Sequence, residues 1–101
     1  MRLEIGDARA FDDPGEDHVR RELELLALGR SDFVILARRE MDYVQATKEG
    51  KEIIVEWQER GIDNHWQAVT DDAGKLSEFF LAYLRGDKSY KTLFDFEKLD
   101  L

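Results

Sequence analysis

The chain has 101 residues, 43% of them hydrophobic and 38% charged, which is enough apolar material for one core with much of the chain facing water. Its 23 acidic and 15 basic residues give a formal net charge of −8, which disfavours a surface that follows a nucleic-acid backbone. The absence of cysteine excludes disulfides, thiolate nucleophiles and cysteine-ligated zinc. No segment approaches the roughly 20 apolar residues of a membrane span. We therefore expect a single cytoplasmic domain over residues 1–101, without nucleic-acid or membrane partners.

A first helix is predicted over about residues 14–28. Asp13 is suited to be its N-cap, Pro14 its first helical residue and Glu16 the partner in a capping box. Leucines and a valine follow at helical spacing, and Gly29 provides a stop. The pattern predicts an amphipathic helix N-terminal to the remaining elements.

From Ser31 onward the hydrophobic period changes to two, and β-branched and aromatic residues predominate. This pattern predicts a four-stranded antiparallel meander, and the alternation in residues 2–5 is consistent with a fifth, N-terminal edge strand. Glycine readily takes the positive φ of a tight hairpin, so Glu49-Gly50 is predicted as a two-residue turn. The four strands span about residues 32–38, 41–48, 51–58 and 64–70, separated by Arg39-Glu40, by Glu49-Gly50 and by a loop around Gly61.

The strongest amphipathic pattern lies near the C-terminal end. Asp71-Asp72 offers an N-cap, and Gly86 ends the segment. The apolar positions recur at helical spacing, so we expect this helix to pack on one face of the sheet and the aromatic tail that follows it to dock on the core. Its apolar residues are Leu76, Phe79, Phe80, Tyr83 and Leu84. The predicted fold class is α+β, with an N-terminal helix and a C-terminal amphipathic helix packed on the sheet.

With Glu49-Gly50 as the turn, the face of the sheet away from this apolar side carries a row of four residues. Leu36, Tyr43, Glu56 and His65 then lie on neighbouring strands about 4.8 Å apart. In the same register Val44 lies opposite Val55 and Tyr43 lies opposite Glu56. The predicted helix-facing side holds Phe33, Ile35, Ala37, Val44, Ala46, Ile53, Val55, Trp57, Trp66 and Ala68.

Tyr43, Glu56 and His65 are the candidate site residues. Glu56 could orient His65 for acid–base chemistry, but the same residues also form an ordinary cross-strand charge pair beside an aromatic ring. A tyrosine with a few charges on a rigid sheet is typical of protein-binding surfaces, and this interpretation is favoured. An alternative is that the helix over residues 14–28 covers this face as a second core layer. No catalytic, cofactor or metal-binding motif is present in the sequence.

The order and chemistry of the segments after Ser31 carry a family resemblance. The segments are Phe33-Val-Ile-Leu, Asp42-Tyr-Val-Gln-Ala, Ile54-Val-Glu-Trp, His65-Trp66-x-Ala68, Phe79-x-x-Ala82-Tyr83-Leu84-x-Gly86-Asp87, Tyr90-Lys91 and Phe94-x-Phe96-Glu97. This order resembles the Imm1-type immunity proteins of bacterial polymorphic toxin systems over about residues 31–101. The family often has tryptophan where Tyr90 or Phe96 aligns. The resemblance implies a cytoplasmic inhibitor of a cognate toxin, commonly a nucleic-acid-modifying enzyme, and an acidic inhibitor suits a basic toxin domain.

Three functions therefore remain open at this point. The first is an immunity-like inhibitor that binds a toxin through Tyr43, Glu56 and His65. The second is a small enzyme or ligand-binding domain that uses the same row. The third is a structural subunit that forms homo-oligomers through exposed Val34, Leu36 and Ile54.

Overall fold

The computed structural model describes residues 1 to 6 and 8 to 100, and this part of the chain forms a seven-stranded antiparallel sheet with two α-helices on one face. The strand order is β2-β1-β3-β4-β5-β6-β7. The predicted α+β class with an antiparallel sheet is confirmed, but the strand number was underestimated. The elements are β1 (Arg2–Ile5), β2 (Arg9–Asp12), α1 (Glu16–Ala27), β3 (Phe33–Arg39), β4 (Asp42–Glu49), β5 (Glu52–Gln58), β6 (His65–Thr70), α2 (Ala73–Arg85) and β7 (Glu97–Lys98), with short 3-10 turns at Ile62–Asn64 and Lys88–Thr92.

The two strands that the sequence pattern missed form the edges of the sheet. All four residues of β2 are exposed, and β7 has only two residues, so neither strand shows an alternation of buried and exposed positions. The strand at residues 2–5 is present as β1, but β2 pairs outside it, so β1 is not the edge.

Helix α1 begins later than the capping pattern predicted. Gly15 is the N-cap and makes no side-chain cap hydrogen bond, so Asp13 is not the cap and Pro14 is not the first helical residue. The Asp13 backbone instead has a φ of 50° and donates to the Met1 carbonyl at 2.6 Å, which extends the β1–β2 pairing at the open end of the hairpin. The helix ends at Ala27, and Gly29 follows with a φ of 77°, as a C-terminal stop requires.

Helix α2 follows the prediction closely. Asp72 is the N-cap, and its carboxylate accepts the Lys75 amide at 3.0 Å. Gly86 is the C-cap in the left-handed region. Phe79, Phe80 and Tyr83 are fully buried against the sheet.

A single core lies between the sheet and both helices. Val19, Leu23 and Leu26 of α1 belong to the same buried cluster as the aromatic residues of α2. The Arg85 guanidinium joins the helices by binding both Glu16 carboxylate oxygens, at 2.9 and 2.7 Å. Helix α1 therefore does not cover the opposite face, and the C-terminal aromatics pack on the core as predicted.

The β4–β5 hairpin has a different register from the predicted one. Glu49 pairs with Glu52, so the loop is Gly50-Lys51, with Gly50 at a φ of 59°. The pairing shifts by two residues, which keeps every side chain on its predicted face but changes its neighbours. Val44 lies opposite Trp57 rather than Val55.

The predicted orientation of β3 was wrong. The loop to β4 is Glu40-Met41, and the ladder has an irregularity between Ala37 and Arg39. This one-residue change reverses the strand's faces, so Val34 and Leu36 are fully buried under the helices. The alternate residues of this strand, Phe33, Ile35 and Ala37, lie on the face of the sheet away from the helices. Leu36 is thus absent from the predicted row, and neither Val34 nor Leu36 is exposed for pairing two copies.

None of the described helices is long and apolar enough to cross a membrane.

Candidate functional site: the open face of the sheet

The face of the sheet opposite the helices, called the open face, has no described element packed on it, and the buried hydrophobic cluster includes none of its residues. Cross-strand pairing arranges its side chains in rows. The histidine row contains Asp12, Arg2, Ala37, Tyr43, Gln58 and His65; the acidic row contains Ala10, Glu4, Ile35, Gln45, Glu56, Gln67 and Glu97; and the apolar row contains Phe33, Thr47, Ile54 and Val69.

The structure brings the three predicted site residues together, with a fourth between them. Tyr43 and His65 share the histidine row, where Gln58 separates them, and Glu56 lies in the neighbouring acidic row. Gln58 was missed because the predicted register placed Glu56, not Gln58, opposite Tyr43. The alternation along β5 does assign Gln58 to this face, but the pairing depends on the hairpin loop.

His65 is held through both of its ring nitrogens. Its Nε2 lies 2.9 Å from Glu56 Oε2, and its Nδ1 lies 2.7 Å from Gln58 Oε1. The Tyr43 hydroxyl donates to the same Gln58 oxygen at 3.3 Å, and the Tyr43 ring lies edge-on to the imidazole at a centroid distance of 6.2 Å. The Gln58 amide nitrogen lies 3.5 Å from both the carbonyl oxygen and the sulfur of Met41. These contacts form one network, called the histidine network, from Glu56 to Met41.

The centre of the network is buried, since His65 is 7% exposed and Gln58 is 3% exposed, whereas Met41 at its end is 39% exposed. Burial, followed by the nearby Glu56 carboxylate, raises the pKa of the Tyr43 phenol above its usual value, so Tyr43 is neutral at physiological pH. Because partners within the protein occupy both imidazole nitrogens, His65 has no free nitrogen to offer a substrate. The geometry therefore gives no support to His65 as a general base.

Beside the histidine network, the open face is hollowed into a groove of about 880 Å³. Its floor is formed by residues of β3 and β4, and its walls are formed by the end of β3, the β3–β4 turn and the β1–β2 hairpin. The floor residues are Ile35, Ala37, Tyr43 and Gln45, and the wall residues are Met1, Arg2, Glu4, Asp12, Asp13, Arg38, Arg39, Glu40 and Met41.

Acidic side chains dominate the charges on the open face. Arg2 points to this face and lies 3.4 Å from Glu4, and Arg38 and Arg39 line the wall of the groove. Directly opposed Glu49 and Glu52 add two carboxylates beside the apolar row. The acids on this face are Glu4, Asp12, Glu49, Glu52, Glu56 and Glu97.

The described residues include no group of three or more histidine and carboxylate side chains that could hold a metal ion.

In comparisons with known proteins, no family model, no curated protein and no solved structure matches the chain. The resemblance to immunity proteins therefore stays a prediction.

Proposed function

We propose that the protein binds another protein through the open face, and that the partner is a basic domain which it inhibits in the manner of an immunity protein. The observation that carries the proposal is a sheet face without a covering layer, on which an apolar row is bordered by carboxylates.

The size of the open face suits such a partner. Seven strands at a spacing of about 4.8 Å span roughly 29 Å, and central strands of six to eight residues run roughly 20–26 Å. The projected area is then about 650 Å², close to the roughly 800 Å² that each partner contributes to a standard interface.

The composition of the face also suits it. Ile54 and Thr47 are partly buried, and Val69 is 52% exposed, so the apolar row offers contact area across β3 to β6. Carboxylates on both sides of this row match the polar residues that border the hydrophobic part of many interfaces. The excess of acids favours a partner with a positive surface, because complementary charges speed encounter and exclude wrong partners.

A toxin that acts on nucleic acid is a partner of this kind. Its substrate groove must be positive in order to hold a polyanion, and an acidic sheet face can occupy that groove in place of the substrate. The resemblance of residues 31–101 to immunity proteins and the acidic charge of the open face both favour such a partner.

The test is capture of partners from the native cells with two matched charge-reversal variants. The face variant is Glu52→Lys/Glu97→Lys, at two exposed positions of the open face, and the control is Glu24→Lys/Glu78→Lys, at two exposed positions of the helices. Both variants change the net charge equally, and circular dichroism and thermal unfolding establish that each is folded.

We expect a basic partner to be retained by the wild type and the control, to be lost by the face variant, and to be toxic when it is expressed alone. Equal retention by both variants would place the interface elsewhere. A captured partner that is harmless alone would leave binding intact but remove the inhibitor function.

A second candidate function is supported by the groove. Its volume of about 880 Å³ falls within the roughly 300–1,000 Å³ typical of small-molecule sites. If the groove binds a small molecule, we expect a small-molecule fragment to shift the NMR signals of Tyr43 and Ile35. If the protein only binds another protein, we expect no fragment to shift these signals. Pairing of two copies through the open face is opposed by repulsion between their acidic side chains.

A further inference from the structure

We propose that His65 and Gln58 form a proton-linked relay that connects the charge of the imidazole to the position of the β3–β4 turn at Met41, a wall of the groove. The relay is a property of the free protein and does not depend on what occupies the groove.

The donor and acceptor roles in the histidine network define one state of the relay. Both atoms that face the imidazole nitrogens, Glu56 Oε2 and Gln58 Oε1, are oxygen atoms. An ionised carboxylate and an amide oxygen only accept hydrogen bonds, so both ring nitrogens must carry a proton. In this state of the relay the Gln58 amide nitrogen faces the Met41 carbonyl at 3.5 Å, and both ring nitrogens of His65 donate hydrogen bonds.

Loss of one proton from the His65 ring makes its contact with the Gln58 oxygen unfavourable. The ring proton stays on Nε2, because the Glu56 carboxylate is the stronger acceptor of the two. Nδ1 then presents a lone pair to the Gln58 oxygen at 2.7 Å, which is repulsive. Rotation of the Gln58 amide by half a turn places its NH₂ group against Nδ1 and restores a hydrogen bond.

This rotation has a consequence at the other end of the amide. The Gln58 oxygen then faces the carbonyl oxygen and the sulfur of Met41, where the nitrogen lay 3.5 Å away. Two acceptors repel each other, so Met41 moves away from Gln58. The Met41 carbonyl also accepts the Gly61 amide at 3.4 Å, and this hydrogen bond does not involve Gln58.

Met41 is suited to transmit the change. Its φ of 67° lies in the left-handed region that a side chain disfavours, so the turn depends on its surroundings to hold this conformation. Met41 and Tyr43 both line the groove, and the Tyr43 hydroxyl binds the same Gln58 oxygen. The charge of His65 therefore changes the position of one wall of the groove.

Several titratable groups surround the imidazole. Glu56 on β5 contacts it directly, and Tyr43 on β4 lies edge-on to it. Glu97 on β7 lies in the neighbouring acidic row, and Asp63 is exposed in the turn before β6. The experiment must therefore separate the response of His65 from those of Glu56, Tyr43, Glu97 and Asp63.

The experiment is an NMR pH titration of the isotope-labelled full chain. It follows the two imidazole nitrogens of His65, the side-chain amide of Gln58 and the backbone amide of Met41. We expect all three groups to change with one shared midpoint, with both imidazole nitrogens protonated below it and only Nε2 protonated above it. Gln58 and Met41 signals that stay constant through the His65 midpoint would overturn the relay, and so would a neutral imidazole that keeps its proton on Nδ1.

A pair of variants separates the relay from a general effect of pH. Gln58→Met removes the amide. We expect the His65 signals still to change with pH, but the response of Met41 at the same midpoint to be lost. In the control, Gln45→Met, an amide on the same face outside the network is removed, and the coupled response is retained. A Met41 response that survives in Gln58→Met would show that the turn senses pH by another route. The wild-type titration decides the question even if Gln58→Met fails to fold.

Discussion

Substitution of Tyr83 by phenylalanine tests the polar contact that fixes the end of β4 against α2. The Tyr83 hydroxyl lies 2.6 Å from Asp42 Oδ1 and 2.8 Å from the Asp42 carbonyl oxygen, and the Arg38 amide donates to it at 3.3 Å. The ring is fully buried and packs edge-on against Tyr90 at 5.2 Å, with the Arg38 guanidinium 4.9 Å above it. Phenylalanine keeps these ring contacts, so the variant removes only the hydroxyl.

The expected loss of stability follows from the partner left behind. Asp42 is 8% exposed, and its carboxylate would lose the hydroxyl donor while staying buried. A hydrogen bond to a charged group contributes about 1.5–3 kcal/mol, and an orphaned buried charge lies at or above the upper end of that range. We expect the free energy of unfolding to fall by about 3 kcal/mol, which for a chain of this length lowers the melting temperature by roughly 10 °C or more.

Urea unfolding followed by tryptophan fluorescence measures the loss, and a double-mutant cycle with Asp42→Ala assigns it. We expect Asp42→Ala to destabilise the wild type by about 2 kcal/mol more than it destabilises Tyr83→Phe, because the contact is already absent in the second background. A loss below about 0.5 kcal/mol for Tyr83→Phe, or additive effects in the cycle, would refute the reasoning.

Three further predictions test the fold by equilibrium unfolding. Leu36→Ala should destabilise by about 2–5 kcal/mol and Ile35→Ala by less than half as much, because Leu36 faces the core and Ile35 the open face; the reverse order would restore the originally predicted orientation of β3. Asp72→Ala should cost about 1 kcal/mol by removing the N-cap of α2, and an unchanged midpoint would show that the cap is dispensable. Burial is the main cause of the raised pKa of both Tyr83 and Tyr90. Above pH 10 these two phenols therefore ionise only in the unfolded chain, and the free energy of unfolding should fall by about 1.4 kcal/mol per pH unit for each tyrosine. Ionisation of both phenols near pH 10 without unfolding would contradict this.

The sequence predicts helix α2 well because independent signals agree. A capping aspartate, an aromatic stripe at helical spacing and a terminal glycine each point to the same boundaries. Helix α1 lacks this agreement, since Asp13 looks like a cap but is used by the preceding hairpin. A local pattern cannot show that a residue is already required by a neighbouring element.

The strand faces were predictable only where one side of a strand is apolar. In β4 and β5 the polar residues alternate with apolar ones, so the face assignment survived an error of two residues in the hairpin. In β3 the run Phe33–Leu36 is apolar on both faces, so the pattern has no preferred orientation, and the irregularity after Ala37 decided it. The same limit hid Gln58, because its contacts depend on pairing and not on face.

The opposed pair of glutamates at the end of the β4–β5 hairpin links fold stability to the proposed binding surface. Glu49 and Glu52 are exposed cross-strand partners on the open face, and like charges directly opposite each other destabilise a sheet. Glu52→Lys should therefore stabilise the protein by about 0.2–1 kcal/mol, measured by urea unfolding, whereas Glu24→Lys on the exposed surface of α1 should not. If the open face binds a basic partner, the same Glu52→Lys change should weaken that binding, because a cation of the partner would relieve the repulsion that the free protein carries. If Glu52→Lys lowered the stability, the Glu49–Glu52 pair would not be unfavourable for folding. A variant that gains stability and keeps full binding would show instead that the pair lies outside the interface.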